Sequence, residues 1–186
     1  GIQPEEASYF QDLVPERQVI TVGVDFEVEE ELETSRGVPG RILAVGSDNE
    51  ANVGGLQDFI DHSWPIIRAK SVEARLRIVG RIGQYICGAD GRVDVVGWVR
   101  DVREEYQRAS VVINPTWTGT GLKVKTAEAL CHAKPLVSTA NGVGGLPLPR
   151  EPAWIVSDDS RGFAQHVIRL LEDGEERQRL GDQARK

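Results

Sequence analysis

The sequence predicts an α/β fold in which helices cover both faces of a doubly wound, six-stranded parallel sheet. From Arg41 onward, short runs of branched apolar residues alternate with segments whose apolar residues recur at helical spacing. Strands that alternate with helices in this way imply a parallel sheet buried on both faces. Several runs end in glycine or in Asn-Pro, at the strand edge where a doubly wound sheet binds its ligand.

The elements of this sheet can be assigned in order along the chain. Strands are predicted at residues 42–46, 75–80, 93–96, 111–114, 135–138 and 153–156. Helices are predicted at residues 52–70, 102–109, 122–133 and 160–172, followed by a solvated amphipathic helix over 172–186. The residues expected on the buried side of the first of these helices are Leu56, Phe59, Ile60, Trp64 and Ile67, with Val53 beside them. Right-handed crossovers between the strands would make the domain Rossmann-like.

The first forty residues differ in composition from the rest. Residues 4–14 predict a helix and residues 18–25 a strand, which together form a first unit at 1–25. Residues 26–40 are dense in glutamate and end in glycines and proline, so they are interpreted as an acidic linker or mobile edge. A solvated short helix is an equal alternative. We expect residues 41–186 to be the ligand-binding domain of a longer protein, truncated at the carboxyl end.

Composition narrows the function classes. The net charge of −7 argues against a nucleic-acid partner, which requires a positive surface. No apolar run approaches the ~20 residues that a transmembrane helix needs. Cys87 and Cys131 lack metal-ligand spacing and are expected to be free thiols. We expect a cytoplasmic protein, and peripheral association with the inner membrane face stays open.

Residues 119–130, which read Gly-Thr-Gly-Leu-Lys-Val-Lys-Thr-Ala-Glu-Ala-Leu, are the most informative stretch. They follow the predicted strand at 111–114. Glycines let the backbone approach a ligand, and the first turn of a helix offers unpaired N–H groups and partial positive charge. Lys125 and Glu128 share one helix face. The stretch predicts a site for a phosphorylated ligand, although surface lysines and a Lys125–Glu128 pair would explain it without one.

Other nucleotide motifs are absent from the sequence. The turn after the first predicted strand holds a single glycine, Gly46, so a dinucleotide fingerprint is missing, and no phosphate-binding loop with Gly-Lys-Ser/Thr occurs. The three histidines form no catalytic constellation. No metal is expected, because no paired acids lie in the 119–130 stretch. Trp98 and Trp117 could frame a base, but packing is the more frequent role of such aromatics. Arg81 could reach a phosphate, but a surface salt bridge is the more frequent arrangement.

Several motifs carry a resemblance to a known family. They are Val45-Gly46-Ser47 with Asn52-Val53, residues 76–80, residues 96–101 with Tyr106, Asn114-Pro115 with the 119–130 stretch, and residues 133–139. In this order the sequence resembles the carboxyl-terminal domain of GT-B fold glycosyltransferases of the group 1 or family 4 type. The resemblance covers residues 41–186. Residues 2–25 are similar to the last helix and strand of that family's amino-terminal domain.

The resemblance implies a donor-binding domain for a nucleoside-diphosphate sugar, with no other cofactor and no metal. Glu128 would contact the ribose, the segment 97–100 the base, and Lys125 would stabilise the leaving diphosphate. The donor-binding residues that it implies are Gly46, Ser47, Gly97, Trp98, Val99, Arg100, Gly119, Thr120, Gly121, Leu122, Lys123, Lys125 and Glu128. The implied partners are the donor, the protein's own amino-terminal domain, and an acceptor that could be a glycan, a lipid or a protein.

The sequence departs from the family pattern at two places. No acid occurs between Asn114 and Ala127, so Thr118 or Thr120 stands where an acidic residue usually contacts the sugar. Residues 47–50 read Ser-Asp-Asn-Glu where an Arg and a Lys usually neutralise the diphosphate. Lys123 and Lys125 are therefore expected to supply the positive charge, as in a subgroup that reads Gly-x-x-Lys-x-Lys-x-x-Glu-Ala.

The family implies sugar transfer with retention, in glycan biosynthesis. The chain alone, without an acceptor-binding half, is expected to bind donor weakly and to transfer nothing. Two alternatives stay open at this point: a sugar-nucleotide epimerase of the same architecture, and a non-catalytic nucleotide-binding or assembly module.

Overall fold

The computed structural model of the protein describes residues 4–20, 37–146 and 151–185. The strands are β1 (Arg41–Val45), β2 (Arg75–Val79), β3 (Val93–Gly97), β4 (Val111–Asn114), β5 (Leu136–Ser138) and β6 (Trp154–Val156). The helices are α1 (Pro4–Leu13), α2 (Glu50–Asp58), α3 (Trp64–Lys70), α4 (Arg103–Arg108), α5 (Val124–Cys131), α6 (Ala140–Val143), α7 (Ser160–Glu172) and α8 (Gly174–Ala184).

The six strands form one parallel sheet in the order β3-β2-β1-β4-β5-β6. The predicted doubly wound fold is therefore confirmed. The strand order reverses between β1 and β4, which leaves a crevice at their carboxyl ends. All four residues of β4 and all three of β5 are buried, as expected for central strands covered on both faces.

Alternate residues of the central strands feed two hydrophobic clusters, one on each face of the sheet. Ile42 and Ala44 of β1 pack with α2, α3 and α7 on one face. Leu43, between them, packs on the other face, with Tyr106 of α4 and Ala129 of α5. Because successive side chains of a strand point to opposite faces, a five-residue strand contributes to both cores at once.

The predicted helix over residues 52–70 is one continuous helix that is interrupted by a π-helical turn in its middle. Phe59–Ser63 forms a π-helical turn between α2 and α3, and the Trp64 N–H bonds to the Phe59 carbonyl. Pro65 lies in the first turn of α3 and has no N–H to continue an α-helical ladder, which explains the local widening. The predicted inward face is confirmed: its five large residues are at most 4 % exposed, and Val53 is half-buried.

The carboxyl-terminal helix is less solvated than the sequence predicts. Asp173 ends α7 and caps α8, where its side chain accepts from the Glu176 N–H. Leu180 is 1 % exposed and belongs to the core, and Gly181 lies so close to the Ala133 carbonyl that a Cβ would come within 2.7 Å of its oxygen. The predicted amphipathic helix is therefore present, but only part of its surface is solvated, because one face of α8 packs on the domain.

The amino-terminal segment is described in part. The helix predicted over residues 4–14 is present as α1, with Tyr9, Phe10 and Leu13 exposed. Residues 18–20 belong to no helix or strand, and the rest of the predicted strand, with residues 26–36 of the predicted linker, lies outside the described residues. Among the residues that are described, no helix is long and apolar enough to cross a membrane.

Candidate functional site

A cavity of about 400 Å³ opens at the carboxyl ends of β1 and β4, where the strand order reverses. This is the position at which doubly wound sheets bind ligands. The residues of the predicted donor site that line it are Gly46, Ser47, Gly119, Thr120, Leu122, Lys123, Lys125 and Glu128. Loops after two separate strands thus meet here, as their position at the sheet edge predicts.

The glycine turn before α5 shapes one wall of the cavity. Gly119 and Gly121 have φ angles of 108° and 83°, in the left-handed region that favours glycine. Lys123 precedes α5 as its N-cap residue but gives no side-chain cap, so the first N–H groups of α5 are not capped by a side chain. The Lys123 ammonium instead bonds to the Gly119 carbonyl at 3.0 Å and to Asn141 Oδ1 at 3.4 Å. Burial lowers its pKa.

Lys125 is the central cation of the cavity. Its Nζ donates to Asn52 Oδ1 at 2.5 Å and to Thr116 Oγ1 at 3.0 Å. Both of these partners are buried and neutral. Burial, and then the neighbouring charge of Lys123, lower the pKa of Lys125 to about 8. A cation in this position is held in place by hydrogen bonds without being neutralised by them.

The partners of Lys125 are fixed by a polar network whose connections the sequence does not show. Asn52 Nδ2 donates to the carbonyl and the hydroxyl of Ser47, at 3.2 and 3.0 Å. The Thr116 hydroxyl donates to Asn114 Oδ1 at 2.7 Å. Asn52 lies in the first turn of α2. Asn49 is the N-cap residue of this helix, and its side chain accepts a hydrogen bond from the Asn52 N–H at 2.9 Å. Ser47, Asn52 and Asn114 belong to the motifs that carry the family resemblance, but the sequence gives no signal for Thr116 or for the contacts that join these residues.

Glu128 lies one helical turn beyond Lys125 on the same cavity wall. It is half-buried, and its Oε2 accepts a hydrogen bond from the Tyr106 hydroxyl at 3.1 Å. Burial raises the pKa of Glu128, and the Tyr106 hydrogen bond opposes that rise. Among the described ion pairs and hydrogen bonds, none joins Glu128 to Lys125, so each is free to face a ligand.

The remaining predicted contacts lie away from this cavity. The predicted base contacts lie at the end of β3 and just after it, two strands from the reversal point, and none of them lines the cavity: Gly97, Trp98, Val99 and Arg100. Gly121 does not line the cavity either. Trp98 is 73 % exposed, so its ring is largely uncovered. Arg81 forms a surface salt bridge with Asp48 at 3.2 Å, which is the more frequent of the two arrangements considered for it from the sequence. Trp117 packs towards α2, where its Nε1 donates to Asp58 Oδ2 at 3.2 Å.

Histidines and cysteines take no part in the cavity. His132 stacks on the Tyr106 ring with centroids 4.7 Å apart, and His62 pairs with Asp58 at 3.0 Å. Cys87 and Cys131 are free thiols. Within the described residues, no group of three or more His, Cys, Asp or Glu side chains is placed to hold a metal ion.

The fold and the cavity define an α/β domain with a crevice beside a glycine turn and two lysines. Residues 39–173 match the family model described as glycosyl transferases group 1, and the chain belongs to this family. No curated protein sequence gives a significant match. The resemblance stated from the motifs is thereby confirmed at the level of the family and of its Rossmann-like fold.

Solved structures share the fold at low sequence identity. A mutant of TarM from S. aureus, in complex with fondaparinux, α-GlcNAc-glycerol and UDP, superposes with a TM-score of 0.75 at 11 % identity, over 99 % of this chain and 38 % of that one. Anabaena HepE in complex with UDP and glucose superposes with a TM-score of 0.63 at 13 % identity, over 98 % of this chain and 46 % of HepE. The carboxyl-terminal domain of a group 1 glycosyl transferase, LpcC from Francisella tularensis, superposes with a TM-score of 0.61 at 17 % identity, over 87 % of this chain and 94 % of that domain.

The coverage differs between whole proteins and an isolated domain. The chain spans less than half the length of TarM and of HepE, but it matches nearly all of the isolated LpcC domain. It therefore has the fold of a carboxyl-terminal domain of this family.

Proposed function

We propose that the chain is the donor-binding domain of a glycosyltransferase that uses a nucleoside-diphosphate sugar. The observation that carries this proposal is Lys125, a largely buried lysine at the reversal point of the sheet, whose described partners are all neutral. A buried cation without a counter-charge is costly unless an anion visits it. Two opposite unit charges 4 Å apart attract each other with an energy of about 4 kcal/mol at an effective dielectric constant of 20.

The arrangement of the other side chains supports a diphosphate joined to a ribose. Lys123 and the start of α5 add positive potential next to Lys125, which suits the second phosphate. Glu128, one turn further along, presents a carboxylate acceptor that suits the ribose hydroxyls. The base would then lie towards residues 97–100, with Trp98 beside it, and the sugar towards Thr118 and Thr120. TarM and HepE, which have this fold, bind UDP.

The proposed reaction is transfer of a hexosyl unit to an acceptor with retention at the anomeric carbon. The bond between the anomeric carbon and the diphosphate oxygen breaks, and the electron pair goes to the diphosphate. The acceptor oxygen bonds to the anomeric carbon, and the diphosphate takes up the proton that the acceptor loses. Lys125 and Lys123, with the start of α5, would stabilise this negative charge as it develops. We propose that they do so without a metal. Groups that bind the acceptor would come from an amino-terminal domain.

Calorimetry with UDP, GDP and their sugars tests the proposal. We expect one nucleotide to bind to the chain, and Lys125→Gln to weaken it about tenfold to a hundredfold, because a charged hydrogen bond to phosphate is lost. Lys70→Gln is the matched control, since Lys70 is exposed at the end of α3. Binding of no nucleotide, or equal losses in the two variants, would refute the proposal.

A non-catalytic nucleotide-binding or assembly module is the second candidate. It is favoured by the lack of an acid from Asn114 to Ala127, which leaves the sugar subsite without its usual carboxylate. Product analysis with radiolabelled donor and a protein that also carries the amino-terminal domain separates the candidates. Transfer to an acceptor supports the enzyme, an altered sugar nucleotide indicates an epimerase, and nucleotide binding with neither product supports the module.

A further inference from the structure

We propose that Tyr106 is a positioning residue of the donor site. Its hydroxyl holds one carboxylate oxygen of Glu128, so that the other oxygen is presented to a ribose hydroxyl. The inference rests on the proposed function, since it assigns a ribose to the space beside Glu128.

Tyr106 is a rigid support because it lies wholly inside the protein. It is 0 % exposed and belongs to the cluster on the α4 and α5 face of the sheet. Its ring stacks on His132 at 4.7 Å with an interplanar angle of 18°. A side chain packed in this way has a single rotamer available, so its hydroxyl occupies a fixed point.

The Tyr106 hydroxyl lies next to Glu128, which forms part of the cavity wall. The Tyr106 hydroxyl donates to Glu128 Oε2 at 3.1 Å, and Glu128 lines the cavity. A buried hydroxyl needs a partner, and the carboxylate is the acceptor that the structure gives it. The two groups therefore fix each other, and they join α4, which does not reach the cavity, to the ligand-facing side of α5.

The hydrogen bond also affects the ionisation of Glu128. An ionised carboxylate only accepts hydrogen bonds, so it can receive both the Tyr106 hydroxyl and a ribose hydroxyl. Burial raises the pKa of Glu128, and the Tyr106 hydroxyl counteracts this rise. The other titratable groups around this pair are Lys125, Cys131 and His132. Removing the hydroxyl should therefore both loosen the carboxylate and make it easier to protonate.

Tyr106→Phe removes only the hydroxyl, and Tyr85→Phe is the matched control because Tyr85 is 54 % exposed and does not line the cavity. Binding of UDP and GDP is measured from pH 5 to pH 8, with inorganic pyrophosphate as a probe that lacks ribose. For Tyr106→Phe we expect the tighter nucleotide to bind about threefold to tenfold more weakly at pH 7. The loss of affinity on acidification should also begin at a higher pH, and pyrophosphate affinity should stay unchanged.

Glu128→Gln supplies the second variant. If Tyr106 acts through the carboxylate, Tyr106→Phe should have little further effect in the Glu128→Gln background. Equal nucleotide affinity of wild type and Tyr106→Phe, or parallel losses for nucleotide and pyrophosphate, would overturn the inference alone. Failure of the wild-type chain to bind any nucleotide would overturn the proposed function and the inference with it.

Discussion

Lys125 is the residue on which the electrostatics of the site depend. Its pKa of about 8 lies below the ordinary value of 10.5, because burial disfavours the charged form. The sign of the resulting pH dependence follows from this shift. A bound diphosphate favours the protonated lysine, so above pH 8 binding must take up a proton, whereas below pH 8 the proton is already present.

We therefore predict that nucleotide affinity falls about tenfold per pH unit above pH 8, with proton uptake on binding. Calorimetry at pH 9 in buffers of different ionisation enthalpy measures this uptake. Lys125→Arg is the control, because a guanidinium keeps its proton throughout this range and should remove both effects. Wild-type binding at pH 9 without proton uptake would contradict the assignment of Lys125.

At the same scale, the residues by themselves, without the family resemblance, indicate a role only where their chemistry is conspicuous. Lys123, Lys125 and Glu128 could be selected because charged residues beside glycines at a helix start are informative. Asn52 and Tyr106 belong to the motifs that carry the family resemblance, but no role could be assigned to them or to Thr116, because their roles arise from contacts with residues 73, 22 and 9 positions away. A neutral polar side chain shows no such role until the fold brings its partner to it.

At the scale of elements, α2 supports the loop that leads from β4 into the site. Gly55 lies so close to this loop that a Cβ would come within 2.3 Å of the Pro115 carbonyl oxygen. Trp117, two residues further on, bonds to Asp58 of the same helix. The loop is thus held against α2 by backbone contact and by a side-chain hydrogen bond.

Two neighbouring glycines of α2 give a matched test of this contact. Gly55→Ala should destabilise the domain by about 1–3 kcal/mol through overpacking and should weaken nucleotide binding. Gly54→Ala, with no atom within 4 Å of its new Cβ, should instead stabilise by about 0.5–1 kcal/mol, because alanine favours the helix. Thermal and denaturant unfolding compare the two variants. Equal effects would show that the close contact with Pro115 does not matter.

Helix α8 is a second element with a testable contribution. Because Leu180 is 1 % exposed within the core, Leu180→Ala should cost about 2–5 kcal/mol in the free energy of unfolding. Val72→Ala is the control, since Val72 is 83 % exposed and should change stability little. A Leu180→Ala chain as stable as wild type would mean that α8 does not belong to the domain in solution.

The helices and strands were predicted well where the pattern is local, and less well where packing decides. The apolar runs of β1 and β4 and the spacing in α7 are visible in the sequence itself. The π turn at Phe59–Ser63 depends on how Pro65 is accommodated in a helix that must continue. The burial of Leu180 depends on where α8 lies, which its polar sequence does not reveal.

At the scale of the whole molecule, the strand order places the site. Alternating strands and helices joined by right-handed crossovers predict the doubly wound sheet. The reversal of strand order between β1 and β4 then forms the crevice. The chain spans less than half the length of TarM or HepE. We predict that it binds nucleotide but neither transfers sugar nor hydrolyses donor. Sugar transfer or steady donor hydrolysis by the chain alone would contradict this division of labour.

A crystal structure of the chain with UDP, or with GDP if GDP binds more tightly, tests the central claim most directly. We predict that the diphosphate lies within hydrogen-bond distance, about 3 Å, of the Lys125 ammonium, with the ribose against Glu128. A nucleotide bound away from the crevice between β1 and β4, or one whose diphosphate does not contact Lys125, would contradict the account.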